Sequence, residues 1–207
     1  MLVLVILLLA TSSSLAEIVT GTPRIVDGDT LQIDLTTVRL HGIDAPEVSQ
    51  PGGRAATVAL VELVNNKAIQ CEGHEKDDYG RLIAKCRAGD EDINAAMVRR
   101  GRAWAYAKYS SDYLVLEREA QQAKRGIWKG SPQAPWDYRA ERWKVARQVA
   151  PKGCPIKGNI TRKGERIYHD PWSPWYRRTS IDERCGEQWF CSEREALEAG
   201  WRAPYWR

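Results

Sequence analysis

The first hundred residues alternate between short apolar runs and polar turns. Runs at 18–26, 30–35 and 38–43 are rich in β-branched residues, and the tripeptide Asp27-Gly28-Asp29 and the pair Thr36-Thr37 lie between them. Turn residues between such runs are typical of sequential antiparallel strands. The pattern therefore predicts a three-stranded meander.

The spacing of apolar positions then changes to that of helices. Residues 54–64 carry apolar side chains three to four positions apart, and two more strand-like runs follow at 68–71 and 82–86. A second helix is predicted over 92–100. A third is expected to begin after Ser110, Ser111 and Asp112, which supply N-cap chemistry, and to end at Gly126.

This order of elements, β-β-β-α-β-β-α-α, predicts a mainly β fold with helices packed on it: a five-stranded OB-fold barrel over residues 17–130. Residues 131–152 are interpreted as a linker or a basic helix. Residues 153–207 are expected to form a small, Trp-rich α+β module.

Composition separates the two parts further. The chain has 207 residues, a net charge of +4 and nine Trp against one Phe. Residues 17–130 carry a net charge of −1, whereas residues 131–207 carry +5 and seven of the nine Trp. A charged fraction of 28% and a mean hydropathy of −0.50 exclude an integral membrane protein and argue against a disordered chain. The asymmetry predicts two segments with different partners.

The first sixteen residues are interpreted as a cleavable secretory signal. Residues 2–10 are apolar without interruption, and the small residues Ser14 and Ala16 precede an expected cleavage after Ala16. Nine residues are too few to span a bilayer, which needs about 20. No basic residue precedes Arg24, which is atypical, and the alternative is a buried N-terminal strand. We expect a secreted or periplasmic protein without stable membrane insertion after cleavage.

Export permits disulfides among the five cysteines. Cys71 and Cys86 lie in neighbouring predicted strands, where a cross-strand bridge is feasible. In the tail, the favoured disulfide is Cys154–Cys191, with Cys185 as a free cysteine. A zinc site in the tail is the alternative, although no Cys-x-x-Cys pair occurs.

Carboxylates and arginines in the meander suggest chemistry. In an antiparallel meander the start of strand two and the end of strand three are neighbours, which would bring Asp29 close to Asp44. Two adjacent carboxylates repel unless a cation lies between them, and hard oxygen ligands suit Ca²⁺. Arg39 and Arg81 add side chains that bind phosphate. Each feature alone is more often an ordinary turn or a solvated charge.

Four ordered motifs resemble the thermonuclease, or staphylococcal nuclease-like, family over about residues 18–128. They are Val26-Asp-Gly-Asp-Thr30, Arg39-Leu-His-Gly-Ile-Asp-Ala-Pro-Glu47, Asp78-Tyr-Gly-Arg81 and Glu119-Ala-Gln-Gln-Ala-Lys-Arg-Gly-Ile-Trp128. The resemblance implies an OB-fold and Ca²⁺-dependent endonucleolytic cleavage of DNA and RNA that leaves 3′-phosphate ends.

The resemblance also implies a role for each matched residue. Asp29, Asp44 and the backbone carbonyl of Ala45 would bind Ca²⁺, Glu47 would orient or deprotonate water, and Arg39 and Arg81 would hold the phosphate. Tyr106 or Tyr109 would stack on a nucleotide, with the register between them open. Ala45 replaces the Thr of the best-known member, a change that a backbone ligand tolerates. The loop at 48–53 lacks basic residues, which would weaken the grip on nucleic acid or alter the preference for single strands.

The tail resembles a short module appended to some exported bacterial nucleases. Its motifs include Cys154-Pro-Ile-Lys-Gly-Asn-Ile160 and Gly186-Glu-Gln-Trp-Phe-Cys-Ser-Glu193. The resemblance implies no chemistry. Most of its Trp are expected to form the core of a small unit, while stacking on bases remains the alternative.

The sequence therefore predicts an active exported endonuclease acting on DNA and RNA, with no obligate protein partner. All five charged positions, Asp29, Arg39, Asp44, Glu47 and Arg81, carry the residue of an active member. The alternative is a non-catalytic OB-fold nucleic-acid-binding protein with vestigial motifs, which would bind without turnover.

Overall fold

A computed structural model of the chain describes residues 16–205. The predicted signal at 1–16 lies outside the described residues, except for Ala16. No helix within the described range is long and apolar enough to cross a membrane.

The elements follow one another along the chain in two groups. The first group contains β1 (Glu17–Gly21), β2 (Arg24–Ile25), β3 (Thr30–Ile33), β4 (Thr36–Leu40), β5 (Ile43–Asp44), α1 (Gly53–Val64), β6 (Ile69–Lys76), β7 (Leu82–Ala88), β8 (Glu91–Asp92), α2 (Ile93–Arg99), β9 (Trp104–Ala105) and α3 (Leu114–Gln122). The second contains α4 (Pro135–Val149), β10 (Ile156–Ile160), β11 (Arg166–His169), β12 (Gln188–Phe190) and α5 (Glu193–Glu198).

The main sheet is curled and carries helices, a mixed α/β arrangement consistent with an OB-like fold. Its strand order is β1-β6-β7-β4-β3-β2, with β8 paired to β7. The meander β3–β4 is antiparallel, whereas β4 and β7 are parallel, with Arg39 opposite Ile83. Parallel pairing requires a long crossover, here supplied by α1 and β6. It places the strand that follows residue 81 beside Arg39.

The sheet has seven strands rather than the five that the sequence predicts. The first predicted strand is split into β1 and β2 around Pro23, because proline cannot donate to a strand ladder. The turn expected at Thr36-Thr37 lies instead at Asp34 and Leu35. Asp34 has φ of 50° there and Leu35 is 96% exposed, so the two threonines belong to β4.

The predicted third strand and third helix also change at their ends. β4 stops at Leu40, and Gly42 turns the chain with φ of 71° before β5 pairs with β9. The third helix starts at Leu114 without a side-chain cap. Asp112, expected as an N-cap residue, instead forms an ion pair with Lys85, 2.7 Å away.

The core of the first group lies between the sheet and α1 and α2. Leu31, Val38, Leu60 and Met97 are each at most 1% exposed. Apolar side chains alternate along the inner face of the strands and recur at helical spacing on α1 and α2. This core rigidly supports the strand ends that carry the charged residues.

The tail forms its own small core beside α4. The strands β11-β10-β12 make a three-stranded sheet, on which Ile156, Phe190 and Trp201 are buried. Trp143 of α4 packs against this cluster. Among the tail Trp in the described range, Trp201 alone is fully buried, so the expectation that most of them form the core is wrong.

Two disulfides join strands and loops. Cys71 and Cys86 are register partners on β6 and β7 and are bonded, as are Cys154 and Cys191. Cys185 is an exposed free thiol. The sheet bridge restrains a hairpin, and the tail bridge ties the segment after α4 to the start of α5.

Replacing Cys71 and Cys86 together with Ala should lower the free energy of unfolding by about 3 kcal/mol, because the bridge closes a loop of 15 residues in the unfolded chain. Urea unfolding under non-reducing conditions measures the loss. Cys185→Ser is the matched control and should leave stability unchanged. A double variant as stable as the control would contradict the stabilising role.

The tail should lose stability on mild acidification through His169. Burial, followed by the charge of Lys157, lowers the pKa of His169 from 6.5 to about 4, and its Nε2 lies 2.9 Å from Asn159 Oδ1. The unfolded chain binds a proton below pH 6.5 that the folded chain binds only below about pH 4. Stability conferred by neutral His169 is therefore present above pH 6.5 and is lost as pH falls toward 4, by up to about 3 kcal/mol.

Urea unfolding of the wild type and of His169→Gln at pH 7 and pH 4.5 tests this expectation. The variant should lose less stability between the two values than the wild type. Equal losses would show that His169 titrates normally.

Candidate active site

The turn before β3 holds the first two carboxylates. Asp27 Oδ1 accepts hydrogen bonds from the backbone N–H of Asp29, at 3.0 Å, and of Thr30, at 2.8 Å. Gly28 is required at the centre, because a Cβ there would lie 2.7 Å from that of Ala45. Burial, and then the charge of Asp29, raises the pKa of Asp27 to about 7. The motif is thus a turn whose side chains fix the direction of Asp29.

Asp29 reaches across to the segment after β5. Its Oδ2 accepts a hydrogen bond from the backbone N–H of Ala45 at 2.6 Å, and its Oδ1 accepts one from Thr30 Oγ1 at 3.1 Å. Asp44, the residue before Ala45, is fully buried. The structure therefore brings together the two carboxylates that the meander predicted to be neighbours.

Arg39 lies between these carboxylates. Its Nη1 is 3.2 Å from Asp29 Oδ1 and its Nη2 is 3.1 Å from Asp44 Oδ1. Nη1 also donates to the backbone carbonyl of Ile43 at 2.9 Å. The guanidinium offsets the repulsion between two buried acids, although burial still raises the pKa of Asp44.

Glu47 lies in the loop that leads to α1. Burial raises its pKa to about 8, while the positive charge of Arg139 opposes the rise. A carboxyl group with such a pKa changes between its protonated and ionised forms near neutral pH, as a residue that takes up and releases protons must. Its backbone N–H donates to Gln50 Oε1 at 3.2 Å, which orders the loop at 48–53.

Arg81 approaches the same cleft from the start of β7. Its Nε donates to Asp77 Oδ2 at 2.7 Å, and Asp77 Oδ1 accepts the backbone N–H groups of Tyr79 and Arg81. Burial alone would lower the pKa of Arg81, but the carboxylates of Asp77 and Glu193 raise it. The guanidinium stays charged and fixed in direction.

Tyr106 and Tyr109 follow β9 at one end of the cleft. Their rings lie 5.0 Å apart, edge to face. Tyr109 is 60% exposed, whereas the ring of Tyr106 stacks on Trp136 at 5.4 Å with an interplanar angle of 9°. Of the two, Tyr109 is the one open to solvent.

Arg139, on α4, completes the charged cluster and was not singled out by the sequence. Its Nη2 lies 2.7 Å from Asp44 Oδ2, and its Nη1 lies 3.1 Å from Asp44 Oδ1 and 2.8 Å from Glu47 Oε1. The only sequence signal is that residues 131–152 form a basic helix, in which several arginines are equivalent. What distinguishes Arg139 from the other arginines of the helix is its contact with Glu47 and Asp44, which are 92 and 95 positions away in the chain.

These residues line one open cleft of about 1330 Å³. Asp29, Arg39, Glu47 and Arg81 come from the first group of elements. The opposite wall comes from α4 and the tail, through the residues Arg139, Trp143, Asp170, Trp172 and Glu193. The catalytic candidates are thus brought together under a cover that the second group supplies.

The donor chemistry of Asp29, Asp44 and the Ala45 carbonyl fits Ca²⁺, which prefers several hard oxygen ligands. Within residues 16–205, however, no group of three or more His, Cys, Asp or Glu side chains is arranged to hold a metal ion. The guanidinium groups of Arg39 and Arg139 bind the carboxylate oxygens that a cation would need.

Comparison with known proteins agrees with this geometry. The family model described as staphylococcal nuclease homologue matches residues 37–130, a range that contains every predicted catalytic, metal-binding and substrate-binding residue except Asp29. An uncharacterized endonuclease of Escherichia coli is 39% identical over 124 residues, which cover 56% of this chain and 81% of that protein.

This chain belongs to the staphylococcal nuclease family. A second uncharacterized endonuclease, from Haemophilus influenzae, is 39% identical over 127 residues and is covered to 71% of its length. A probable staphylococcal-like nuclease of Oryza sativa is 35% identical over 116 residues, but only 31% of its length is covered. Family membership and these names support a nuclease function, with nucleic acid as the substrate.

The tail of this nuclease homologue matches a different family model. The model described as ArfC covers residues 144–203. Residues 131–143, which include Trp136 and Arg139, lie between the two matches. Trp136 and Arg139 therefore belong to neither match, whereas Lys144 and Arg147 of α4, which also line the cleft, fall within the second.

Removing the Asp44 carboxylate should destabilise the protein markedly. Asp44→Ala leaves the partly buried guanidiniums of Arg39 and Arg139 without a shared partner, and the free energy of unfolding should fall by about 3 kcal/mol. Urea unfolding measures the change. Asp112→Ala, which breaks an exposed ion pair with Lys85, is the control and should cost less than about 1 kcal/mol. Equal effects would contradict the central place of Asp44.

Proposed function

We propose that this protein is an exported, Ca²⁺-dependent endonuclease that hydrolyses phosphodiester bonds in DNA and RNA and leaves 3′-phosphate ends. The observation that carries the proposal is the convergence of Asp29, Glu47, Arg39 and Arg81 in one cleft, with the buried Asp44 paired to Arg39, in a chain of the nuclease family. Export is supported by the apolar run at 2–10 and by two disulfides, which persist in oxidising compartments.

Ca²⁺ held by Asp29, Asp44 and the Ala45 carbonyl would supply positive charge to the phosphate oxygens. Glu47 accepts a proton from water, whose oxygen then forms a bond to phosphorus. The bond from phosphorus to the 5′ oxygen breaks, this oxygen takes a proton from solvent, and the phosphate remains on the 3′ oxygen. The raised pKa of Glu47 suits it to this transfer.

Arg81 and Arg39 bind the phosphate as negative charge develops on it. Asp77 holds the Nε of Arg81, which fixes the plane of the guanidinium, and we assign the Nη atoms to phosphate oxygens. Donors fixed before the reaction stabilise the transition state more than mobile ones, because they need no reorganisation. Tyr109, exposed at the end of the cleft, is placed to stack on a base, and Tyr106 beside it offers a second ring, whose face Trp136 covers in this structure.

Glu47→Gln and Arg81→Ala should each lower kcat by about a hundredfold or more, because one removes the proton acceptor and the other a transition-state donor. Release of acid-soluble nucleotides from single-stranded DNA and from RNA measures the rate. Arg87→Ala, which removes an exposed arginine from the same strand, is the control for Arg81→Ala.

The metal requirement and the products are tested with the same substrates. Cleavage should need Ca²⁺, stop with excess chelator, and leave ends that a 3′-phosphatase can process. Tight binding of intact DNA by a folded protein, without cleavage in Ca²⁺, would overturn the enzyme and support a non-catalytic nucleic-acid-binding protein.

A further inference from the structure

The guanidinium of Arg139 lies against Asp44 and Glu47, where a metal cation would bind these carboxylates. Its two Nη atoms span both oxygens of Asp44 and reach Glu47, all at 2.7 to 3.1 Å. Asp44 is thereby saturated by two guanidiniums, since Arg39 already binds its Oδ1. A divalent cation and Arg139 compete for the same carboxylate charge, so binding of one weakens binding of the other.

Trp136, on the same helix, takes the position of a base. Its ring lies nearly parallel to that of Tyr106, at 5.4 Å, which is the geometry of an aromatic side chain stacked on a nucleobase. Trp136 and Arg139 are three positions apart and therefore share one face of α4. The helix α4 thus brings Arg139 into the cleft and places Trp136 on the ring of Tyr106, which lines the cleft.

The N-terminus of α5 brings negative charge to Arg81. Glu193 lines the cleft together with Arg81, and its carboxylate contributes to the raised pKa of that guanidinium. The next residue, Arg194, forms an ion pair with Asp78 Oδ1 at 2.9 Å, which docks α5 on the loop before β7. An acidic group therefore lies in the same cleft as the arginine assigned to the substrate phosphate.

Besides the ion pairs of Arg139 and the ring contacts of Trp136, polar contacts join the second group of elements to the first. Tyr138 Oη is 2.9 Å from Ser49 Oγ, and Gln50 Nε2 donates to the carbonyl of Gln133 at 2.7 Å. Ser49 also bonds to the carbonyl of Trp172. The apolar cores of the two groups remain separate clusters, so the cover can detach without unfolding either core.

Resting on the nuclease function proposed above, we propose that α4 and the start of α5 form an autoinhibitory cover. Arg139 occupies the place of the metal and Trp136 that of a base, while Glu193 adds negative charge to the cleft in which Arg81 would bind a phosphate. Ca²⁺ and a nucleic-acid strand displace these groups together, because each takes a position that the cover holds.

Ca²⁺ affinity without nucleic acid tests the cover directly. Isothermal titration of the purified protein should show that Arg139→Gln binds Ca²⁺ about tenfold more tightly than the wild type, as expected when a charge-assisted competitor is removed. Arg139→Lys keeps the charge but cannot make the paired bonds, and should lie between them. Arg142→Gln, on the same helix with its guanidinium over the ring of Tyr138, should match the wild type.

The variant Trp136→Ala distinguishes a helix that blocks the base-stacking ring of Tyr106 from one that itself binds the substrate. A fluorescent single-stranded phosphorothioate oligonucleotide, titrated in the presence of chelator, should bind Trp136→Ala several-fold more tightly, because the face of Tyr106 becomes free. Weaker binding would make Trp136 a platform for bases and overturn the cover. Circular dichroism of each variant checks that the fold is retained.

The outcomes distinguish the two proposals. Ca²⁺-dependent cleavage by the wild type with no gain in Ca²⁺ affinity in Arg139→Gln would overturn the cover and leave the nuclease intact. If the wild type and all of the folded variants fail both to bind Ca²⁺ and to cleave nucleic acid, the proposed nuclease is overturned, and the cover with it.

Discussion

Repulsion between buried carboxylates is the constraint on which this structure depends. Asp29 and Asp44 are almost completely removed from solvent. Besides burial, the charge of Asp29 raises the pKa of Asp27, and the charges of Asp27 and Asp29 raise that of Glu47. Such a cluster is stable only if cations lie among the acids or if some of the acids stay protonated. Arg39 supplies one cation from within the sheet, and Arg139 supplies a second from the tail.

The topology of the sheet explains why these charges meet. Thr30 pairs with Arg39 across β3 and β4, so the turn that carries Asp29 lies beside the end of β4. The glycine turn at residue 42 then returns the chain to β5, which places Asp44 next to the same point. The parallel partner β7 brings Arg81 to this edge. Buried apolar side chains behind the strands hold all of these backbone positions.

Short-range patterns in the sequence were sufficient to predict the cluster of Asp29, Asp44 and Arg39. Features that depend on contacts between distant parts of the chain could not be predicted from them. The meander placed Asp29 near Asp44 because tight turns leave antiparallel strands little choice of register. The split at Pro23 and the turn at Asp34 were missed, since strand propensity outweighed single-residue backbone effects. Asp112 appeared to be a helix cap, but Lys85 on β7 binds it instead.

The role of α4 lay outside what local patterns can show. Arg139 is one of several basic residues on that helix, and Trp136 is one of several tail tryptophans. Their partners, Asp44 and Tyr106, are 95 and 30 positions away. A small unit rich in Trp was expected to use them as its core, whereas a core built from Ile156, Phe190 and Trp201 leaves the others for surfaces and for the cleft.

A crystal structure of the protein with Ca²⁺ and a single-stranded phosphorothioate oligonucleotide tests the central claim, that the acidic centre is a cation site now filled by guanidinium groups. The account predicts Ca²⁺ between Asp29 and Asp44, a phosphate at Arg81, and Arg139 withdrawn from Asp44. A structure with the oligonucleotide in the cleft and Arg139 still bonded to both oxygens of Asp44, with Ca²⁺ bound elsewhere, would contradict it.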